Sequence, residues 1–207
     1  MVKLKFNIKL LFLIKFLLIN LIFFSISAAE SFDKKNNFIS IGNNDAPIKI
    51  KIFSSLTCPH CANFHKEVLP KIKKLYVDKG KVQVFFVDFP LDQFAFNASK
   101  LLHCTDKKKQ IIFLDTIYEK QNEWTLGSDS DEINNNLKNL VKNMGINSEQ
   151  FEKCLNDDKI ADKILNDRIN GHEKYSIEST PTIIINEKKL NGSASFKNIK
   201  KKIEKLI

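Results

Sequence analysis

The chain has 207 residues, 43% of them hydrophobic, which is enough apolar material to enclose one sizeable core and excludes a disordered chain as the starting point. Its formal net charge is +9, but Lys3, Lys5, Lys9 and Lys15 lie in a 29-residue stretch without an acid, so the remainder carries only +5. Arg168 is the one arginine and the lysines are scattered, so no basic platform forms and no nucleic-acid partner is expected.

At the N-terminus, Lys3, Lys5 and Lys9 form a basic lead. Leu10 to Ile26 is apolar except for Lys15, Asn20 and Ser25, and Ser27-Ala28-Ala29 offers small residues to a signal peptidase. The pattern predicts an export signal over 1–29, cleaved after Ala29. The competing reading is an uncleaved anchor, for which the run is short and interrupted by Lys15. Either way the domain is exported, a setting in which its four cysteines can form disulfides.

A polar lead-in over 30–37 precedes Phe38-Ile39-Ser40-Ile41-Gly42, which alternates like a short strand. Asn43 to Pro47 is a turn cluster. Ile48, Ile50 and Ile52 then alternate with Lys49 and Lys51, and Phe53 extends this second strand. From Pro59 onward, Cys61, Phe64, Val68, Ile72 and Leu75 fall on one helical face, with a kink expected at Pro70. Gly80 ends that helix. Val82 to Val87 is apolar on both faces, as a central strand would be.

From Asp92 to Tyr175 the apolar spacing is helical throughout. Trp124 and Gly127 read as a loop. Ser148 reads as an N-cap, and a last helix through Ile164 ends at Asn170-Gly171, where His172 serves as a helix-end cation. His103 reads as a helix-surface residue. Strand character returns at Thr182–Ile185, followed by a hairpin turn at Asn186 to Lys189. Ser195 caps a final helix with Ile199, Ile203 and Leu206 facing inward.

The chemistry concentrates in Thr57-Cys58-Pro59-His60-Cys61, at a strand-to-helix junction. Backbone N–H groups and the helix dipole favour a Cys58 thiolate. His60 can add to that, and Pro59 suits the first helical position. Stabilising the reduced form makes the disulfide a stronger oxidant. Cys61, one turn further in, reads as the buried resolving thiol. A purely structural disulfide is the bland alternative, but so short a loop restrains an unfolded chain little. A metal site would need a second ligand pair, and neither His60 nor His65 is spaced for one; no metal is expected.

Cys58-Pro59-His60-Cys61, the helical stretch after it and Thr180-Pro181-Thr182, in that order between about Ile39 and Ile207, resemble a thioredoxin-fold oxidoreductase of the DsbA type. The resemblance implies an α/β architecture: a thioredoxin fold split into a β-α-β half (30–91) and a β-β-α half (176–207), with a helical domain (92–175) inserted between them. It implies that Pro181 is cis beside the redox pair and that Thr180 offers backbone groups to an extended substrate. It also implies a second, stapling disulfide between Cys104 and Cys154, closing about 51 residues and worth at most roughly 4 kcal/mol.

The activity implied is periplasmic thiol oxidation of unfolded or reduced exported proteins, by a monomer without a bound cofactor, reoxidised by a membrane quinone-linked partner. A disulfide isomerase or reductase is the in-class alternative, though only about eight polar residues precede the first strand, leaving no room for the dimerisation domain such enzymes carry. A metal-binding or chaperone-like protein is the out-of-class alternative. One position departs from the pattern. Ile52, six residues before Cys58, stands where many relatives bury an acid, so the proton relay that acid serves is absent or carried elsewhere.

Overall fold

The computed structural model describes residues 38–207; the leader, its cleavage after Ala29 and the lead-in over 30–37 lie outside them. In the unit from Ile39 to Ile207, five strands form one mixed sheet in the order β1-β3-β2-β4-β5. They are β1 (Ile39–Ile41), β2 (Ile48–Ser54), β3 (Val82–Asp88), β4 (Thr182–Ile185) and β5 (Lys188–Lys189). Only β2 and β3 run parallel, with Ile52 opposite Phe86. On its other side β2 pairs antiparallel with β4, with Ile52 opposite Ile183. The fold is a mixed α/β thioredoxin fold.

The parallel β2–β3 pair requires a crossover, and residues 59–77 supply it as α1. This helix winds normally over Pro59–Asn63 and Leu69–Ile72, and widens to π turns over Phe64–Val68 and Lys73–Val77. The first π turn explains how Pro70 is accommodated. Leu69 N–H donates back to Phe64 O, so the turn opens just before a residue that has no N–H and whose ring would crowd the preceding turn.

Between β3 and β4 come α2 (Gln93–Cys104), a 3₁₀ turn (Lys107–Lys109), α3 (Gln110–Glu119), α4 (Gln121–Trp124), α5 (Ser130–Asn143), α6 (Ser148–Leu155) and α7 (Asp158–Tyr175). α8 (Phe196–Glu204) closes the chain, capped by Ser195. Among the described residues no helix is long and apolar enough to cross a membrane.

Several local expectations are corrected. Trp124 is 1% exposed and ends a short helix, with its indole N–H donated to Ile117 O at 3.0 Å. Asn147, in a capping box with Gln150, caps α6, and Ser148 is its first residue. Asn170-Gly171 does not end α7, which continues to Tyr175 and stops at Ser176 in the left-handed region. Gly171 is needed for packing, because a Cβ there would lie 2.6 Å from Phe53 Cε1. His172 uses Nδ1 against Ile177 O at 3.0 Å. Leu206 is 42% exposed, since α8 ends before it can turn inward.

The hairpin turn narrows to Asn186-Glu187, both at positive φ, as a two-residue connection between twisted strands demands. His103 is not on the surface. It lies at 9% exposure with Nε2 2.6 Å from Asp88 Oδ2, itself 8% exposed. Burial opposes ionisation of Asp88, but His103 and Ser99 hold its carboxyl below the usual range.

Candidate active site

Cys58 is the residue at which β2's outgoing loop becomes α1. Its φ, ψ of −76°, 119° are extended and Pro59 follows as the first helical residue. The loop is held locally by Cys58 N–H donating to Ser55 O at 3.2 Å. It is also held by the inserted helices. Gln121, 2% exposed, donates through Nε2 to Leu56 O (2.8 Å) and Cys58 O (3.1 Å). Thr57 Oγ1 donates to Asp92 Oδ2 at 2.5 Å, while Asp92 also caps α2 through Ala95 N–H. Leu91 N–H donates to Ser55 Oγ. Sequence reading missed Gln121 altogether. Its amide spans more than 60 positions to its acceptors, and no local pattern encodes that.

Across the site, the Thr180–Pro181 peptide is cis and Thr180 O lies 3.4 Å from Cys58 Sγ. Both cysteines are free thiols here, Cys58 at 8% exposure and Cys61 at 2%. Their acidities diverge. The Cys58 thiol is lowered from 9.0 to about 5, first by the hydrogen bond from Cys61, against burial, with further help from Thr180 and the backbone N–H groups of Cys61 and His60. Cys61 is pushed far up, first by that same hydrogen bond and then by burial. The His60 ring is exposed, so within this structure its observed aid to the thiolate is its backbone N–H. Its ring lines a groove of ≈660 Å³ with Phe64, Val68, Pro181 and Phe196.

Cys104 and Cys154 are bonded, with Cα atoms 5.9 Å apart, joining the end of α2 to α6. Among the described residues no group of three or more His, Cys, Asp or Glu is placed to hold a metal. On the sheet itself, Lys51 is 2% exposed and donates to Glu187 Oε1 at 2.6 Å. Burial raises the Glu187 carboxyl, but Lys174, Lys51 and Tyr175 together bring it down to about 2.

One thiol ionised near neutrality and a neighbour held protonated are what dithiol–disulfide exchange requires. On this sheet they define the class, a thioredoxin-fold protein thiol:disulfide oxidoreductase. Comparison with known proteins agrees. The family model described as Thioredoxin matches residues 34–205. A Bacillus anthracis protein named probable disulfide bond formation protein D is 33% identical over 172 residues, covering 80% of this chain and 76% of that one. The crystal structure of Wolbachia pipientis alpha-DsbA1 superposes with a TM-score of 0.73 at 32% identity, over 82% of this chain and 90% of that one. That of oxidised BdbD from Bacillus subtilis gives 0.69 at 28%, over 83% and 93%. The chain belongs to the thioredoxin family and is a DsbA-type protein thiol:disulfide oxidoreductase.

Proposed function

We propose that the protein works outside the cytoplasm, in the periplasm, and donates its Cys58–Cys61 disulfide to reduced exported proteins. The observation that carries this reading is the Cys58 thiol lowered to about 5. A thiolate already formed at neutral pH stabilises the reduced enzyme and so favours giving the disulfide away. A substrate thiolate attacks Cys58 Sγ, and the Cys58–Cys61 bond breaks, its electron pair passing to Cys61. A second substrate thiolate then attacks the substrate sulfur of the mixed disulfide, and Cys58 leaves as a thiolate.

The groove beside Pro181 supports substrate docking at this point, with Thr180 O available to pair with an extended segment. Pro59 and His60 tune the pair through the turn geometry and the His60 N–H. A membrane quinone-linked partner takes the two electrons from the reduced pair. The Cys104–Cys154 bond staples the inserted helices and takes no part in exchange.

Equilibration of the purified domain with glutathione redox buffers tests the direction. The expected reduction potential lies close to the value of about −120 mV of strongly oxidising DsbA enzymes. A value near thioredoxin's, about −270 mV, overturns the oxidase reading. N-terminal sequencing of the exported form tests the leader, with Glu30 expected first.

A further inference from the structure

Each turnover adds a proton to Cys61 or removes one, yet its thiol is 2% exposed and the neighbouring strand position is apolar Ile52. A small cavity of ≈10 Å³ lies against Cys61, lined also by Ile52, Ser54, His65, Phe86 and Tyr118. That is about the space one water needs. Tyr118 is 2% exposed, and its hydroxyl lies by Ser54 and close enough to Cys61 to feel its charge, without a well-formed hydrogen bond, so a buried polar group sits beside the thiol pair with bonding capacity to spare. His65 stacks on Tyr118 with ring centroids 4.8 Å apart. Its Nε2 lies 2.6 Å from Asp115 Oδ1, and while His65 is 9% exposed, Asp115 is 59% exposed. A line of groups therefore runs from Cys61 through the cavity and the His65 ring to solvent.

We propose that His65, held by Asp115 and acting across a water that the Tyr118 hydroxyl helps to bind, takes the proton from Cys61 when it attacks and returns it when Cys61 leaves. The proposal rests on the dithiol-oxidase reading and concerns only how its buried thiol ionises. In reoxidation, Cys61 Sγ gives its proton to the His65 ring and attacks Cys58 Sγ of the mixed disulfide. The Cys58–Cys61 bond forms and the partner's sulfur departs with the electron pair. In substrate oxidation the same proton travels back to Cys61.

The groups facing His65 set the terms. From α3 come the Asp115 carboxylate and the Tyr118 hydroxyl, and from β3 the uncharged Phe86 ring. Asp88, further along β3, is tied to His103. From α1 itself come Cys58 and Cys61.

The test separates the two steps of enzyme oxidation by oxidised glutathione, followed through Trp124 fluorescence. Capture of glutathione by Cys58 is expected to be unchanged in His65→Gln. Ring closure by Cys61 is expected to slow tenfold or more at pH 6–7, within the range of general-base effects. Its pH profile loses the histidine inflection, and the deficit shrinks as hydroxide takes over. Asp115→Asn, at an exposed position, is expected to slow ring closure while leaving the fold and the capture of glutathione by Cys58 unchanged, and it decides the matter where His65→Gln is poorly folded. Tyr118→Phe slows closure without removing the inflection. Closure within twofold of wild type in either charge-altering variant, or a histidine inflection that persists in His65→Gln, overturns the proposal. Failure of the oxidase reading appears separately, in the wild-type potential.

Discussion

Lowering the pH through the Cys58 titration removes the stabilisation that the folded state gives to the thiolate. The thiol falls from 9.0 to about 5 on folding. The group is an acid whose folded value is depressed, so it stabilises the reduced protein fully above pH 9, progressively less below that, and not at all once pH has fallen through 5. At pH 7, two units above the folded value, the contribution is about 2.7 kcal/mol at about 1.36 kcal/mol per unit. Solvent screening at the open side of the site lowers this to about 2 kcal/mol. For a two-electron couple that corresponds to roughly 40 mV toward oxidising potential.

Two assays read it. Thiolate absorbance at 240 nm during a pH titration of the reduced protein should show a midpoint near 5, absent in Cys58→Ala. Urea unfolding of reduced protein relative to oxidised should show the reduced form gaining stability between pH 5 and 7 at up to about 1.4 kcal/mol per unit. A midpoint at 8 or above, or a reduced-minus-oxidised difference flat across that interval, would refute the argument that the turn and Cys61 stabilise the thiolate.

Other perturbations probe the supports. Gln121→Leu removes the donor to Leu56 O and Cys58 O and should cost about 1–3 kcal/mol in urea unfolding, with a lower rate of thiol exchange because the Cys58 turn loosens. Replacing Cys104 and Cys154 together by alanine opens a 50-residue separation and should lower stability by up to about 4 kcal/mol, while the 240 nm titration of Cys58 stays in place. Glu187→Gln removes the carboxylate from Lys51 and should cost about 2–3 kcal/mol at neutral pH, less than a fully enclosed pair because Glu187 is 36% exposed. In the wild type the Glu187 contribution is present above its ordinary 4.5 and is lost as pH falls through about 2, so acid unfolding of Glu187→Gln should be less steep across that interval.

Much of the architecture was legible because it is written in short-range pattern. The Ile48-Lys-Ile-Lys-Ile alternation, the apolar Val82 to Val87 run and Pro59 at the start of a helix each announce their element within a few residues. The Cys58/Cys61 spacing is local in the same sense. What was misread depended on partners far along the chain. Gly171 looks like a helix stop until Phe53 of β2 is placed beneath it. His103 looks exposed until Asp88, at the end of β3, is brought to its ring.

The sequence by itself determined the reactive pair and its position at a strand-to-helix junction, since three-residue spacing and backbone polarity are matters of adjacent residues. Tertiary structure decided how that pair ionises. Cys61 sits beside Cys58 in a buried turn, the Thr180 side chain arrives from more than 120 positions away, and Gln121 reaches in from the inserted helices. It also placed His65 and Tyr118 around one cavity beside a thiol whose strand neighbour is isoleucine. Acidity is set by the sum of nearby dipoles, charges and excluded water, and those neighbours are assembled only when the chain closes on itself.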